Sequence, residues 1–214
     1  MEITDLTRTD QMESRDKLAA EDRGWSFYAY LSRMRYITRW GLMRNSYTEN
    51  IQEHSHMVAV LAHALALISR KVFGNQSVSP DACAAAALFH DAGEIITGDM
   101  PTPIKYYSPE IRDAYRQVEA VAADRLLGML PEELREDYEP LLREEDPEVT
   151  RFVKAADKLS AHIKCLEELK ASNHEFLLAA RQTRQALDDM DMPEVRYFIE
   201  HFLDSFTLTL DELK

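Results

Sequence analysis

Apolar residues recur along the chain at intervals of three and four, which is the spacing of amphipathic helices. From residue 25 this pattern predicts a helix that ends near residues 39–41, where Gly41 can act as a stop, and a second helix over about residues 48–73. The third predicted helix spans residues 81 to about 94. Its body is apolar on every side, which is typical of a helix that is buried all round.

The second half of the chain continues the helical pattern after a proline-interrupted loop over residues 97–107. Further helices are predicted over about residues 109–130, from residue 131 as a short segment, and over residues 148–170, 175–189 and 194–206. No segment has the period of a strand. We therefore predict an all-α fold, a bundle of roughly seven to nine helices. Residues 1–20 would form a polar N-terminal extension and residues 21–214 a single domain.

Composition narrows the class of protein. The 214 residues are 45% hydrophobic, which is enough for one sizeable core but not for two full domains. The net charge of −13 argues against binding to a nucleic acid polymer, because such proteins carry a basic surface. A small anionic ligand stays possible if a few cations converge locally.

The sequence also predicts a cytoplasmic location. No uncharged apolar run reaches the length of about 18 residues that a membrane span needs, so no membrane partner is expected. The first twenty residues are charged throughout and lack the apolar centre of a signal peptide. Cys83 and Cys165 lie within apolar helical patterns and are predicted to be buried free thiols.

Three ionisable residues, His90, Asp91 and Glu94, follow directly on the apolar body of the third helix. A buried carboxylate is in practice paired, protonated or bound to a metal. One explanation is a core histidine bonded to a backbone carbonyl, with Asp91 as a cap or salt-bridge partner. The other is a metal site, and this segment alone leaves both open.

Two residues elsewhere favour the metal site. His54 lies on the apolar stripe of the second helix, and Asp157 lies beside the apolar face of the helix over residues 148–170. Two imidazoles and two carboxylates suit one divalent first-row metal ion. Glu94 would then orient or deprotonate a water molecule. No ligand role is predicted for the other histidines, which are His56, His63, His162, His174 and His201.

This arrangement of His, then His-Asp, then Asp resembles the HD-domain metal-dependent phosphohydrolases. The flanking segments closely resemble the bacterial 5′-deoxynucleotidases of the YfbR type, over about residues 25–213. The segments that carry the resemblance are residues 39–40, 42–45, 48–50, 53–55, 90–94, 97–106, 154–157 and 164–169. Gly93 departs from the pattern, because a serine is expected there.

The resemblance implies a role for each matched residue. The metal ligands would be His54, His90, Asp91 and Asp157, and the catalytic carboxylate would be Glu94. The two aspartates among the ligands would also contact the substrate.

Two further segments would bind the substrate. Arg39 would orient the phosphate, and Trp40 would pack against the sugar, where lack of room for a 2′-hydroxyl favours deoxyribose. The loop residues Asp99, Met100, Pro101 and Thr102 would contact the nucleotide.

The resemblance thus implies an HD-domain enzyme that hydrolyses deoxyribonucleoside 5′-monophosphates to deoxynucleoside and phosphate. It also implies a homodimer and one divalent cation per chain, such as Co²⁺ or Mn²⁺. Bimetallic relatives use extra histidines before the last aspartate, whereas residues 92–156 contain none. Two alternatives stay open. One is a deoxynucleoside di- or triphosphate hydrolase, which would need extra cations for which the sequence offers few candidates. The other is a non-catalytic metal- or nucleotide-binding module.

Overall fold

The computed structural model describes residues 25–105 and 107–213. Its α-helices are α1 (Phe27–Leu31), α2 (Ile51–Lys71), α3 (Pro80–Phe89), α4 (Glu94–Thr97), α5 (Thr102–Lys105), α6 (Pro109–Leu127), α7 (Glu132–Arg143), α8 (Pro147–Lys170), α9 (Leu177–Asp189) and α10 (Pro193–Phe202). Short 3-10 helices span Ser32–Tyr36, His174–Phe176 and Leu203–Thr207. Within these residues eight α-helices have five or more residues, so the predicted all-α bundle is confirmed. The predicted extension, residues 1–20, lies outside the described residues.

Helices α2 and α8 form the centre of the bundle. Helix α2 packs against α3, α8 and α10, and the main core fills the space between these helices. Each of the two central helices begins at a side-chain cap. Asn50 accepts hydrogen bonds from the first backbone N–H groups of α2, and Asp146 does the same for α8. The caps fix where the two helices start, and with them the depth at which their side chains enter the core.

The third helix is shorter than the sequence predicts. Helix α3 ends at Phe89, and a tight turn over residues 90–93 leads into α4. The backbone N–H of Ala92 donates to Phe89 O at 3.0 Å, and that of Glu94 donates to Asp91 O at 3.0 Å, so the chain winds more tightly than an α-helix here. His90 and Glu94 therefore belong to different helices.

The prediction that this helix is buried all round is also wrong. Leu88 is 45% exposed, and only Pro80, Cys83 and Ala87 are buried along α3. One face of α3 packs on α2 and α8, and the small alanine side chains of the other faces can remain near solvent at little cost.

Other boundaries shift without changing the architecture. The first predicted helix ends early, because α1 gives way to a 3-10 helix that stops at Tyr36. The predicted loop over residues 97–107 contains α5. Helix α10 and the 3-10 helix after it close the core through Phe198 and Leu203, while Phe202 is 46% exposed. In the part of the chain that the structure describes, no helix is both long and apolar enough to traverse a lipid bilayer.

A buried ion pair attaches the segment before α2 to α8. Lys164 and Glu168 are paired, with side chains 1% and 0% exposed. Lys164 Nζ donates to Tyr47 O at 2.8 Å, and Glu168 accepts hydrogen bonds from the Ser46 N–H at 2.9 Å and from Asn173 Nδ2 at 2.8 Å. Burial acts to raise the pKa of Glu168, but the bonds donated to its carboxylate outweigh burial and lower that pKa to about 2.

Replacing Lys164 by methionine should destabilise the protein strongly. The substitution leaves the Glu168 carboxylate buried without its cation, and breaking a buried pair in this way costs about 3–5 kcal/mol. Urea unfolding followed by circular dichroism measures the effect, with the exposed Lys71→Met as the matched control. A loss below about 1 kcal/mol would mean that the pair contributes no more than a surface salt bridge.

Candidate metal centre

Three helices bring metal-type ligands to one point. His54 on α2, His90 directly after α3 and Asp157 on α8 each offer one ligand atom, and these atoms lie within 4.8 Å of one another. The closest contact joins His54 Nε2 to Asp157 Oδ1 at 3.1 Å. The side chain of His54 is fully buried and that of His90 is 7% exposed. The predicted convergence of these residues is therefore present.

The fourth predicted ligand, Asp91, lies against both imidazoles. Its Oδ2 is 3.2 Å from His90 Nε2 and 3.6 Å from His54 Nε2. The same oxygen accepts a hydrogen bond from Arg39 Nη1 at 3.1 Å. Asp91 thus connects the histidine pair to the residue predicted to orient the phosphate.

On each imidazole the other ring nitrogen, Nδ1, also has a hydrogen-bond partner. His90 Nδ1 donates to Ala87 O over 2.7 Å, and this bond leaves Nε2 as the atom that faces the cluster. His54 Nδ1 is bonded to the hydroxyl of the buried Ser160 at 3.2 Å. Such partners fix the ring orientation that a metal ligand requires.

The residues fit a divalent cation. Among the described residues, His90 Nε2 has the Asp91 carboxylate 3.2 Å away but makes no well-aligned hydrogen bond, and Glu94 Oε2 is buried without a hydrogen-bond partner, which is rare for buried polar atoms. A cation among His54, His90 and Asp157 would bind the first of these atoms, and a water beside it would satisfy the second. Imidazole and carboxylate ligands together suit first-row divalent metals.

Without a cation, the charges at the site act on the two histidines in opposite directions. Burial acts to lower the pKa of His90, but the Asp91 carboxylate outweighs it and raises that pKa to about 9. Burial and the positive charge of Arg39 lower the pKa of His54. A cation must therefore displace a proton from His90, so its binding should weaken as the pH falls.

The carboxyl groups of the site differ in the direction in which their pKa values are shifted. Burial acts to raise the pKa of Asp91, but His90 outweighs it and lowers that pKa to about 2, and the pKa of Asp157 is also well below its usual value. In contrast, burial and then the charges of Asp91 and Asp99 raise the pKa of Glu94 to about 9. Neighbouring carboxyl groups whose pKa values are shifted in opposite directions are typical of acid–base sites.

Glu94 is the first residue of α4, directly after the tight turn. Gly93, which departs from the expected serine, has a φ of −60°, a value that other residues also adopt. A Cβ at this position would meet only the Cβ of Ala122, at an ordinary distance of 3.6 Å. The glycine is therefore not required by the backbone around Glu94.

The predicted substrate residues Arg39 and Trp40 lie on the segment before α2. Arg39 Nε and Trp40 Nε1 both donate to Glu49 Oε2, at 3.2 and 3.1 Å. The Trp40 ring is 5.3 Å from that of Phe176, centroid to centroid. Glu49 is a contact that sequence reasoning missed, and its only signal was its place in the matched segment over residues 48–50.

The predicted nucleotide loop approaches the same segment. Asp99 lies close enough to the Trp40 backbone and to Arg39 for both to act to lower its pKa, but burial outweighs them and raises that pKa. Met100 and Pro101 are half-buried beside it, and the side chain of Thr102 lies outside the described part of the structure. The loop thus brings Asp99 to Arg39 and Trp40.

A cavity of about 550 Å³ extends from the candidate centre along α6 and α8. His90, Asp91, Glu94 and Asp157 are among the residues that line it. Six basic side chains also line it, and these are Lys105, Arg112, Arg116, Arg143, Lys154 and Lys158. Each lies within 4.0 Å of a carboxylate oxygen. Sequence reasoning expected few such cations, because they come from separate segments with surface-like patterns.

The remaining histidines stay apart from this cluster. Within the described ranges, His54, His90 and Asp157 form the one group of this kind. His56, His174 and His201 are exposed, and the buried His162 is bonded to Thr183 at 2.9 Å. Cys83 and Cys165 are buried free thiols, as predicted.

Comparison with known proteins agrees with this picture. The family described as 5′-deoxynucleotidase YfbR-like matches residues 26–206. A 5′-deoxynucleotidase of Vibrio parahaemolyticus is 49% identical over 192 residues, covering 87% of this chain and 97% of the relative. One from Photobacterium profundum is 50% identical over 189 residues, with the same coverage.

Solved structures share the fold. An HD-domain phosphohydrolase from Listeria innocua aligns with a TM-score of 0.73 at 21% identity, covering 85% of this chain and 88% of that one. The HD phosphohydrolase of cyanophage S-2L, bound to dA and one catalytic Zn²⁺ ion, aligns with a TM-score of 0.57 at 23% identity, covering 83% and 96%. At these identities the likeness establishes the architecture alone.

Proposed function

The chain belongs to the YfbR-like family of 5′-deoxynucleotidases, and on that premise we propose that it hydrolyses deoxyribonucleoside 5′-monophosphates to deoxynucleoside and inorganic phosphate. One observation carries the proposal. The cluster of His54, His90 and Asp157 lies beside a buried carboxyl, Glu94, and is joined through Asp91 to the guanidinium of Arg39. This combination would provide a metal centre, a proton acceptor and a phosphate-binding cation within one site.

We propose that one divalent cation is held by His54, His90, Asp91 and Asp157. Such an ion supplies Lewis-acid activation of water and of the phosphoryl group. The single group of ligands supports one ion, and its mixture of imidazole and carboxylate accepts Co²⁺, Mn²⁺ and other first-row divalent ions.

The other residues would bind and orient the substrate. The planar guanidinium of Arg39 suits phosphate oxygens, because its N–H donors point in fixed directions. Stabilising the charge on those oxygens is the main catalytic requirement of phosphoryl transfer. Glu94 would accept the proton of the attacking water, for which its carboxyl must be ionised, and a neighbouring cation would favour the ionised form against the burial and the charges of Asp91 and Asp99 that raise its pKa. Trp40 and residues 99–102 would hold the sugar.

A substrate screen tests the proposal directly. The enzyme is loaded separately with Co²⁺, Mn²⁺ and Mg²⁺, and inorganic phosphate is measured with deoxy- and ribonucleoside 5′-monophosphates. We expect release from the deoxy series at least about tenfold faster than from the ribo series, because a site that excludes one hydroxyl discriminates by that order. No release from any deoxynucleotide would instead favour the non-catalytic module.

The same screen separates the other alternative. A triphosphate hydrolase would release pyrophosphate or triphosphate from dATP. Six basic residues in the cavity are enough to bind the extra phosphates of such a substrate. However, each of them lies within 4.0 Å of a carboxylate oxygen. Their charge is thereby largely balanced, so we propose the monophosphate as substrate.

We also propose that the protein acts in the cytoplasm as a homodimer. Two buried free thiols are consistent with a reducing compartment. Light scattering on the purified protein would report about twice the chain mass of 24.7 kDa if the dimer forms.

A further inference from the structure

The carboxylate of Glu49 connects the two residues that are proposed to contact phosphate and sugar. A single oxygen, Oε2, accepts from Arg39 Nε at 3.2 Å and from Trp40 Nε1 at 3.1 Å. The side chains of Arg39 and Glu49 are each 12% exposed, so these bonds are largely shielded from water. We infer that Glu49 is a positioning residue that couples phosphate orientation to sugar selection, an inference that rests on the proposed function.

Glu49 fixes the direction of the guanidinium. Arg39 donates Nε to Glu49 and Nη1 to Asp91, so it is held between two carboxylates. Two of its five N–H donors are used in this way, and the remaining ones can meet phosphate oxygens. Without Glu49 the guanidinium could rotate about its bond to Asp91, and the phosphate would lose a defined partner.

Glu49 also supports a strained tryptophan. Trp40 has a φ of +59°, in the left-handed region that non-glycine residues rarely adopt. Residues keep such a conformation only where their surroundings determine it strongly. Here the Met43 N–H donates to Trp40 O at 2.8 Å, and the indole N–H is bonded to Glu49. The direction of the indole ring therefore depends on the Glu49 carboxylate.

The main chain places Glu49 at the correct distance. The Arg39 N–H donates to Glu49 O at 2.9 Å, and the next residues on either side form an antiparallel bridge between Thr38 and Asn50. Asn50 in turn caps α2, which carries His54. Arg39 and Glu49 are thus paired through both backbone and side chain, on a segment fixed to the metal centre. A movement of the Glu49 carboxylate would change the bonds to the indole and to the guanidinium together, because both donate to the same oxygen.

Kinetics of the metal-loaded full-length enzyme test the coupling. Glu49→Ala should lower kcat/KM for dAMP by about tenfold or more, since two hydrogen bonds to a charged group are lost. It should also reduce the preference for dAMP over AMP. Glu49→Gln should recover part of the kcat/KM and part of the sugar preference, because its amide oxygen can still accept a hydrogen bond. Glu53→Gln, at an exposed glutamate in the first turn of α2, should match the wild type. An unchanged preference in Glu49→Ala, with activity lowered equally on both sugars, would overturn the coupling.

A second measurement does not depend on turnover. The chain has two tryptophans, and Trp25 is 64% exposed, so Trp25→Phe leaves Trp40 as the only fluorescent indole. In that background Glu49→Ala should shift the emission to the red and increase acrylamide quenching, while Glu53→Gln should not. Unchanged fluorescence would overturn the positioning role. If the fluorescence shifts but the wild type releases no phosphate from any deoxynucleotide, the proposed function fails and the support of Trp40 by Glu49 stands.

Discussion

Glu94→Gln should lower phosphate release from deoxynucleoside monophosphates by about 10²–10⁴-fold, the usual contribution of a positioned acid or base, and should leave the bound metal in place. The amide preserves the size of the side chain but cannot accept a proton. Metal content should be unchanged, because Glu94 is not among the four residues proposed to hold the cation, which are His54, His90, Asp91 and Asp157. Initial rates and elemental analysis of the same preparation measure the two quantities.

The matched control for this variant is Glu110→Gln, at the exposed start of α6. It should have wild-type turnover and metal content. If Glu94→Gln kept more than about a tenth of the wild-type rate, another group would have to take the proton and the assignment of Glu94 would be wrong.

Asp157→Ala should remove the metal itself, and with it the activity. Substituting residues that only orient a ligand typically lowers metal affinity by about 10–100-fold, so losing a ligand should exceed that range. Isothermal titration calorimetry with Co²⁺ measures the metal affinity. Ser160→Ala provides a comparison of intermediate effect, because the Ser160 hydroxyl is bonded to His54 Nδ1 and only orients that ligand. The metal affinity of this variant should fall by about 10–100-fold.

An exposed aspartate on α9, Asp188, supplies the control substitution Asp188→Asn. Equal metal affinity in Asp157→Ala and Asp188→Asn would exclude Asp157 from the ligand set. Affinity lost in Ser160→Ala but kept in Asp157→Ala would instead place the cation on the histidines alone.

Periodicity predicted the helices well because most of them bury one continuous face. His54 falls on the stripe of α2 and is fully buried, as the spacing required. The family and the fold, which the resemblance implied, are confirmed, whereas the ligand and substrate roles of the individual residues stay predictions.

Features that depend on tertiary contacts could not be predicted in this way. The turn over residues 90–93 interrupts a segment that the apolar pattern predicts as one helix, and Gly93 at its end does not by itself place the turn at His90. The six cations of the cavity come from α5, α6, α7 and α8, and only packing brings them together. Glu49 resembled any polar residue before a helix until its carboxylate was seen against Arg39 and Trp40.

The buried pair of Lys164 and Glu168 limits how this protein could be made more thermostable. Replacing a buried ion pair with apolar residues often stabilises a protein, which makes such a pair an attractive target for redesign. Here the same two side chains satisfy Tyr47 O and the Ser46 N–H. An apolar replacement would leave both backbone groups without partners in the segment that leads from Trp40 to Glu49. Redesign for heat resistance should therefore keep this pair and change surface positions instead.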